Sequence, residues 1–204
     1  VASAFDERVD FLKSQWDLDD VNKVIQGVND SIEKIHDGGK SFVVYGEPQS
    51  GKTEFMIALV CKLLDLNYET IFIVMNDNFE LEIQNFKRFL KCRQMPTSPK
   101  SASDVINMES NDLKEGLQRV IFCRKNKTLL ENIIHATRFM KKRIIIDDEA
   151  DFASPDNNIN KDDKEASRIN GLVSQLLEYH KDGIYIGVTA TPGRLDVNNT
   201  FLNK

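Results

Sequence analysis

The segment Gly46-Glu47-Pro48-Gln49-Ser50-Gly51-Lys52-Thr53 follows directly on the apolar run Ser41-Phe42-Val43-Val44-Tyr45 and runs into a second apolar stretch with Phe55, Met56, Leu59, Val60, Leu63 and Leu64. A buried strand, a Gly-x-x-x-x-Gly-Lys-Thr turn and an apolar helix have the spacing of a phosphate-binding loop. The chemistry dictates the residue types. Gly46 and Gly51 allow backbone conformations and a close approach that a side chain would block. The amides of Glu47, Pro48, Gln49 and Ser50 lie between them; all but that of the proline carry an N–H. With the N-terminus of the next helix they point donors at phosphate oxygens. In such a loop Lys52 reaches the β- and γ-phosphates and the Thr53 hydroxyl ligates magnesium. The competing reading is a glycine-rich turn ahead of an ordinary helix. The strand before it and the apolar helix after it weigh against that.

The rest of the chain repeats this alternation. Apolar runs at 41–45, 70–75, 119–123, 143–147 and 184–188 read as strands, and 52–66, 79–92, 127–141 and 164–181 as helices. The strands carry no polar alternation, so both of their faces are buried. The expected fold is α/β, with about five mostly parallel strands and helices on both faces. Residues 4–37 read as an N-terminal helical segment with a break near Trp16-Asp17 and a stop at Gly38-Gly39. Residues 104–108 read as a short strand, 111–118 as a helical turn, and 94–103 and 153–163 as surface loops.

The run Arg143-Ile144-Ile145-Ile146-Asp147-Asp148-Glu149-Ala150-Asp151 places acids at the C-terminal end of a buried strand. In open α/β sheets ligands bind at that edge. One carboxylate there can hold magnesium and the next can take a proton from attacking water. Acids packed this closely repel one another unless a cation is near. The bland alternative is a solvated acidic loop.

Asp148-Glu149-Ala150-Asp151 resembles the DEAD-type acidic motif of superfamily 2 helicases and translocases. Thr189-Ala190-Thr191-Pro192, after the next strand, resembles their Ser/Thr-Ala-Thr motif. The resemblance extends from about residue 40 to 193. It implies a RecA-like P-loop NTPase fold, with one strand between the phosphate-loop strand and the acidic strand, and the cofactors ATP and Mg2+. Residue by residue it implies Lys52 on the phosphates, Thr53 and Asp148 on magnesium, and Glu149 as catalytic base. Asp151 would bond the hydroxyl of Thr189 or Thr191 and couple the nucleotide to that motif. Nucleic acid, DNA in preference to RNA, is the implied partner. A second RecA-like domain would close the site and supply an arginine. A narrower similarity, carried by Asp147 to Asp151, the Thr-Ala-Thr-Pro motif and the segment Cys123-Arg124-Lys125-Asn126-Lys127-Thr128-Leu129-Leu130, is to the Z-one domain family of restriction and phage-defence endonucleases. The sequence also departs from DEAD-box proteins. An adenine-reading glutamine motif is not evident, Asn76-Asp77-Asn78 replaces the usual Pro-Thr-Arg, and Thr191-Pro192-Gly193-Arg194-Leu195 follows the acidic motif instead of preceding it.

The implied organisation is a helical segment (1–39), an ATPase domain (40–197) and a polar tail (198–204) of a longer protein. Its function would be that of a DNA translocase or helicase motor in a restriction or defence system; a switch or assembly ATPase without nucleic acid is the alternative. The net charge of −5 provides no global basic field for nucleic acid, so contacts with it would be local. Cys61, Cys92 and Cys123 are scattered, as in a reducing cytoplasm, and no apolar stretch approaches membrane-spanning length. His36, His135 and His180 read as surface or structural residues. Arg138, Lys141, Lys142 and Arg143 read as a solvated helix end, and Trp16 and the phenylalanines as core.

Overall fold

The computed structural model describes residues 3–46, 51–109, 113, 116–148, 150, 161–178 and 182–190, with side chains described outside 161–167. In chain order the elements are α1 (Ala4–Lys13), α2 (Leu18–His36), β1 (Ser41–Tyr45), α3 (Lys52–Asp65), β2 (Thr70–Met75), α4 (Phe79–Leu90), β3 (Lys100–Ser101), α5 (Ala102–Ile106), β4 (Arg119–Arg124), α6 (Lys127–Ala136), β5 (Arg143–Asp148), α7 (Lys161–Glu178) and β6 (Ile184–Thr189). The strands form one six-stranded sheet in the order β1-β6-β5-β2-β4-β3. Every pairing is parallel. β6 separates β1 from β5, as expected for a RecA-like domain, and the C-terminal ends align: Tyr45 pairs with Thr189, and Asp148 with Val188.

Alternation along the strands splits the core in two. Ile144 and Ile146 of β5, with Ile71, Ile73, Phe122 and Ile186, pack against α1 to α4. Ile145, with Phe72, Val74, Ile121 and Tyr185, packs against α5, α6 and α7. This two-sided burial is why the strands read as continuous apolar runs.

The N-terminal helices belong to the first of these layers. α1 begins with Ser3 as N-cap, its Oγ accepting from the Asp6 amide at 3.1 Å. Asp65, at the far end of α3, accepts from the amides of Ala4 and Phe5 at 2.9 Å each. The buried Arg8 forms an ion pair with the half-buried Glu54 of α3. α2 ends in a Schellman turn: Gly38 has φ +87°, its amide bonds Ile35 O, and the Gly39 amide bonds Lys34 O at 2.8 Å.

Several local expectations are corrected. Residues 104–108 are not a strand. Ser101 and Asp104 form a capping box that starts α5 at Ala102, and the strand is Lys100–Ser101 inside the expected 94–103 loop. α6 stops at Ala136, and residues 161–163 belong to α7. The turn at 111–118 falls mostly outside the described residues. Arg143 is not solvated: it is fully buried, donating to the carbonyls of Met140 at 3.0 Å, Leu176 at 2.8 Å and Thr137. A buried guanidinium is tolerated when its donors are satisfied, and these carbonyls tie the start of β5 to α6 and α7. Phe11, Phe79 and Phe139 are exposed. His36 and His135 lie on the surface, while His180 is outside the described residues.

Candidate functional site

β1 delivers the chain to the loop. The Gly46 amide donates to Thr189 O at 3.0 Å, which holds the loop's entrance against β6. Glu47, Pro48, Gln49 and Ser50 lie outside the described residues. Gly51 has φ +79° in the left-handed region, and a Cβ built there would stand 2.5 Å from the Trp16 ring. A side chain is therefore excluded twice, by backbone conformation and by the indole. Lys52 and Thr53 open α3, both half-buried.

Trp16 reaches this position because of the N-terminal helices. The Asp65 cap and the Arg8–Glu54 pair fix α1 on α3, and the tight turn after Lys13 swings the indole over Gly51. The indole is half-buried, not the core residue expected. It lines a cleft of about 1180 Å³ together with Asp20, Gly27, Tyr45, Gly46 and Lys52. That volume is somewhat larger than the roughly 300–1,000 Å³ usual for small-molecule sites. The sequence held no signal for Trp16, because its role arises from docking a helix pair on a helix.

Asp148 ends β5 on the face that carries Ile144 and Ile146, toward α3 and α4. Its Oδ2 accepts from Asn85 Nδ2 at 3.4 Å, and the Thr53 hydroxyl donates to Asn85 Oδ1 at 3.4 Å. Arg88, one turn further along α4, donates to the same hydroxyl at 3.1 Å. The structure thus brings Thr53 and Asp148 together around Asn85 and Arg88, which sequence reading missed. An i, i+3 polar pair on an amphipathic helix is too common to signal a site by itself.

Glu149, Asp151 and Thr191 lie outside the described residues, and so does the expected Asp151 coupling. Ala150 packs on Gly187, where a Cβ would meet the Ala150 Cβ at 2.9 Å. Thr189 is fully buried. It shares the alternation of Tyr185 and Gly187 and so faces the opposite side of the sheet from Asp148.

Asp147 faces that opposite side too, where a second polar cluster is buried. Lys125 Nζ is 2.7 Å from Asp147 Oδ1, each side chain only 4% exposed, and the Tyr185 hydroxyl donates to Asp147 Oδ2 at 2.8 Å. Burial, then the Asp147 charge, pushes the Tyr185 hydroxyl well above the usual phenol range, so it remains a donor. The neighbouring Asn126 caps α6 through the Leu129 amide at 3.2 Å and donates to Asp77 at 3.0 Å. Arg124 pairs with Asp77 at 2.8 Å. The Lys125-Asn126 step, within the 123–130 segment that carries the narrower resemblance, is therefore a strand-end clamp, with one residue turned inward and the other capping.

Among the described residues no helix is long and apolar enough to cross a membrane. No curated protein is significantly similar to the chain in sequence. A family profile does match: that of the type III restriction enzyme, res subunit, a superfamily 2 helicase-like ATPase domain, over residues 21–194. The match takes in α2, the phosphate loop, the acidic strand and the Thr-Ala-Thr segment, and the all-parallel sheet is the RecA-like sheet of that domain. By the extent of this match and the order of its elements, the chain belongs to the type III restriction enzyme res subunit family.

Proposed function

We propose that this chain is the ATP-binding and hydrolysing motor domain of a DNA helicase- or translocase-like protein of a restriction or phage-defence system, working in the cytoplasm. The observation that carries the proposal is the meeting of the Thr53 hydroxyl and the Asp148 carboxylate around Asn85, beside a cleft floored by Gly46, Gly51 and Lys52. A hydroxyl and one carboxylate, both oxygen donors, suit magnesium, which keeps several waters and completes its shell with substrate phosphates. Bound there, the ion supplies charge neutralisation to the phosphates. With nucleotide bound, Lys52 would hold the β- and γ-phosphates, Thr53 and Asp148 would hold the cation, and Glu149 would take the proton of the attacking water. Trp16 offers an apolar wall for the nucleoside.

Phosphoryl transfer needs positioned positive charge, and an arginine from across a cleft adds roughly 10³–10⁵ in rate. In the proposed motor a second RecA-like domain supplies it, and the two domains together grip DNA. This chain by itself is then a slow ATPase that binds DNA weakly, consistent with a net charge of −5.

Trp16, the sole tryptophan, provides the test. Mg-ATP is expected to shift its emission, with a titration that saturates. Lys52→Ala is expected to weaken binding by roughly 10- to 100-fold, the worth of a charge-assisted contact. Equal affinities for wild type and variant would make the loop structural only. DNA-stimulated turnover of the full-length protein would separate the motor from a switch ATPase, which DNA leaves unchanged.

A further inference from the structure

Arg88 is an exposed arginine on α4 whose guanidinium reaches across to α3. Its Nη1 donates to the Thr53 hydroxyl at 3.1 Å, while that hydroxyl donates its own proton to Asn85 at 3.4 Å. Asn85 in turn donates to Asp148 at 3.4 Å. The hydroxyl proton is thus committed to Asn85, and a lone pair faces a cation. A metal ion on Thr53 would set a second positive charge beside the guanidinium on the same oxygen.

We propose that Arg88 is a polyphosphate-binding residue of the nucleotide site, supplied by this same domain and resting on the Thr53 hydroxyl when nucleotide is absent. The inference deepens the ATPase reading above and rests on it. Two cations in contact with one hydroxyl oxygen repel each other, so a metal ion on Thr53 would drive the guanidinium off it. The displaced group is a planar fork of donors on a long, flexible stem. It stands beside an anion carrying several charges, and phosphate oxygens are the acceptors its geometry matches best. α4 holds the stem in place: Asn78 caps the helix through the amides of Glu80 and Leu81, and the adjacent Phe89 is fully buried against Phe122.

No expected site residue accounted for a basic group on this side of Thr53. Lys52 belongs to α3, so Arg88 would approach the phosphates from a different helix.

The test is calorimetric titration of the chain with a non-hydrolysable ATP analogue, in magnesium and again in EDTA. The variants are Arg88→Ala, Arg88→Lys and Lys52→Ala. Arg88→Ala is expected to weaken analogue binding about 10-fold or more in magnesium and by less in EDTA, where no cation drives the guanidinium off Thr53. Arg88→Lys is expected to recover part of the loss, because it restores the charge without the fork. Arg88 is exposed, so its thermal midpoint should match wild type. Wild-type affinity in Arg88→Ala, with binding lost in Lys52→Ala, would overturn the Arg88 role and leave the ATPase reading standing. Tighter magnesium-dependent binding in Arg88→Ala would also overturn it, because the arginine would then be only a placeholder. No binding by wild type would overturn both.

Discussion

Lys125→Ala is expected to lower the unfolding free energy by about 3–5 kcal/mol, the usual cost of breaking a buried pair by removing one partner. Asp147 would keep the Tyr185 hydroxyl, 2.8 Å from Oδ2, but lose the ammonium 2.7 Å from Oδ1. The carboxylate, only 4% exposed, would be left as a buried charge without its counter-ion. Replacing both partners, as Lys125→Met with Asp147→Asn, is expected to cost less than the sum of the single changes, since no bare charge remains. Urea unfolding of the two single variants and the double variant measures this. A loss below about 1 kcal/mol in Lys125→Ala would mean that water reaches Asp147 and the pair is a surface one. The pair also bears on function. Asp147 and Asp148 are consecutive and point to opposite faces of β5, so a clamp on the first fixes the direction of the second.

Glu149→Gln in the full-length protein is expected to bind Mg-ATP normally and to lose roughly 10²–10⁴ in turnover, the contribution of a positioned general base. The amide fills the same space and can still hydrogen-bond water, but it cannot accept a proton. Binding is read from Trp16 emission and turnover from phosphate release. Normal turnover with normal binding would remove Glu149 as the base. Loss of both would point to a folding defect at the end of β5, which unfolding of the same variant would reveal.

Several features were legible because they are local. A strand buried on both faces must be apolar throughout, so Thr70–Met75 and Ile184–Thr189 were readable within a residue or so. Glycines at 38 and 39 stop α2 through a turn that needs positive φ, and the sequence pattern shows it. The Ser101–Asp104 capping box was equally local and was passed over, because the apolar residues after it suggested a strand.

Arg143 illustrates the other kind. Its sequence neighbours are basic, and nothing local says that Leu176 O, 33 positions on, joins the carbonyls of Thr137 and Met140 around it. Trp16 and Gly51 meet only after α1 and α2 dock on α3. Arg88 and Thr53 are separated by 35 positions, and Asn85 and Asp148 by 63.

By itself the sequence determined the main strands and helices, the parallel α/β class, the phosphate-loop pattern and the acidic strand end. Backbone geometry and burial periodicity act over a few residues, and they leave that mark on composition. Only the tertiary structure decided which acid faces the loop, which aromatic walls the cleft and which helix brings an arginine to Thr53. Those outcomes depend on contacts between segments remote in the chain, whose side chains have no reason to advertise one another in the order of the residues.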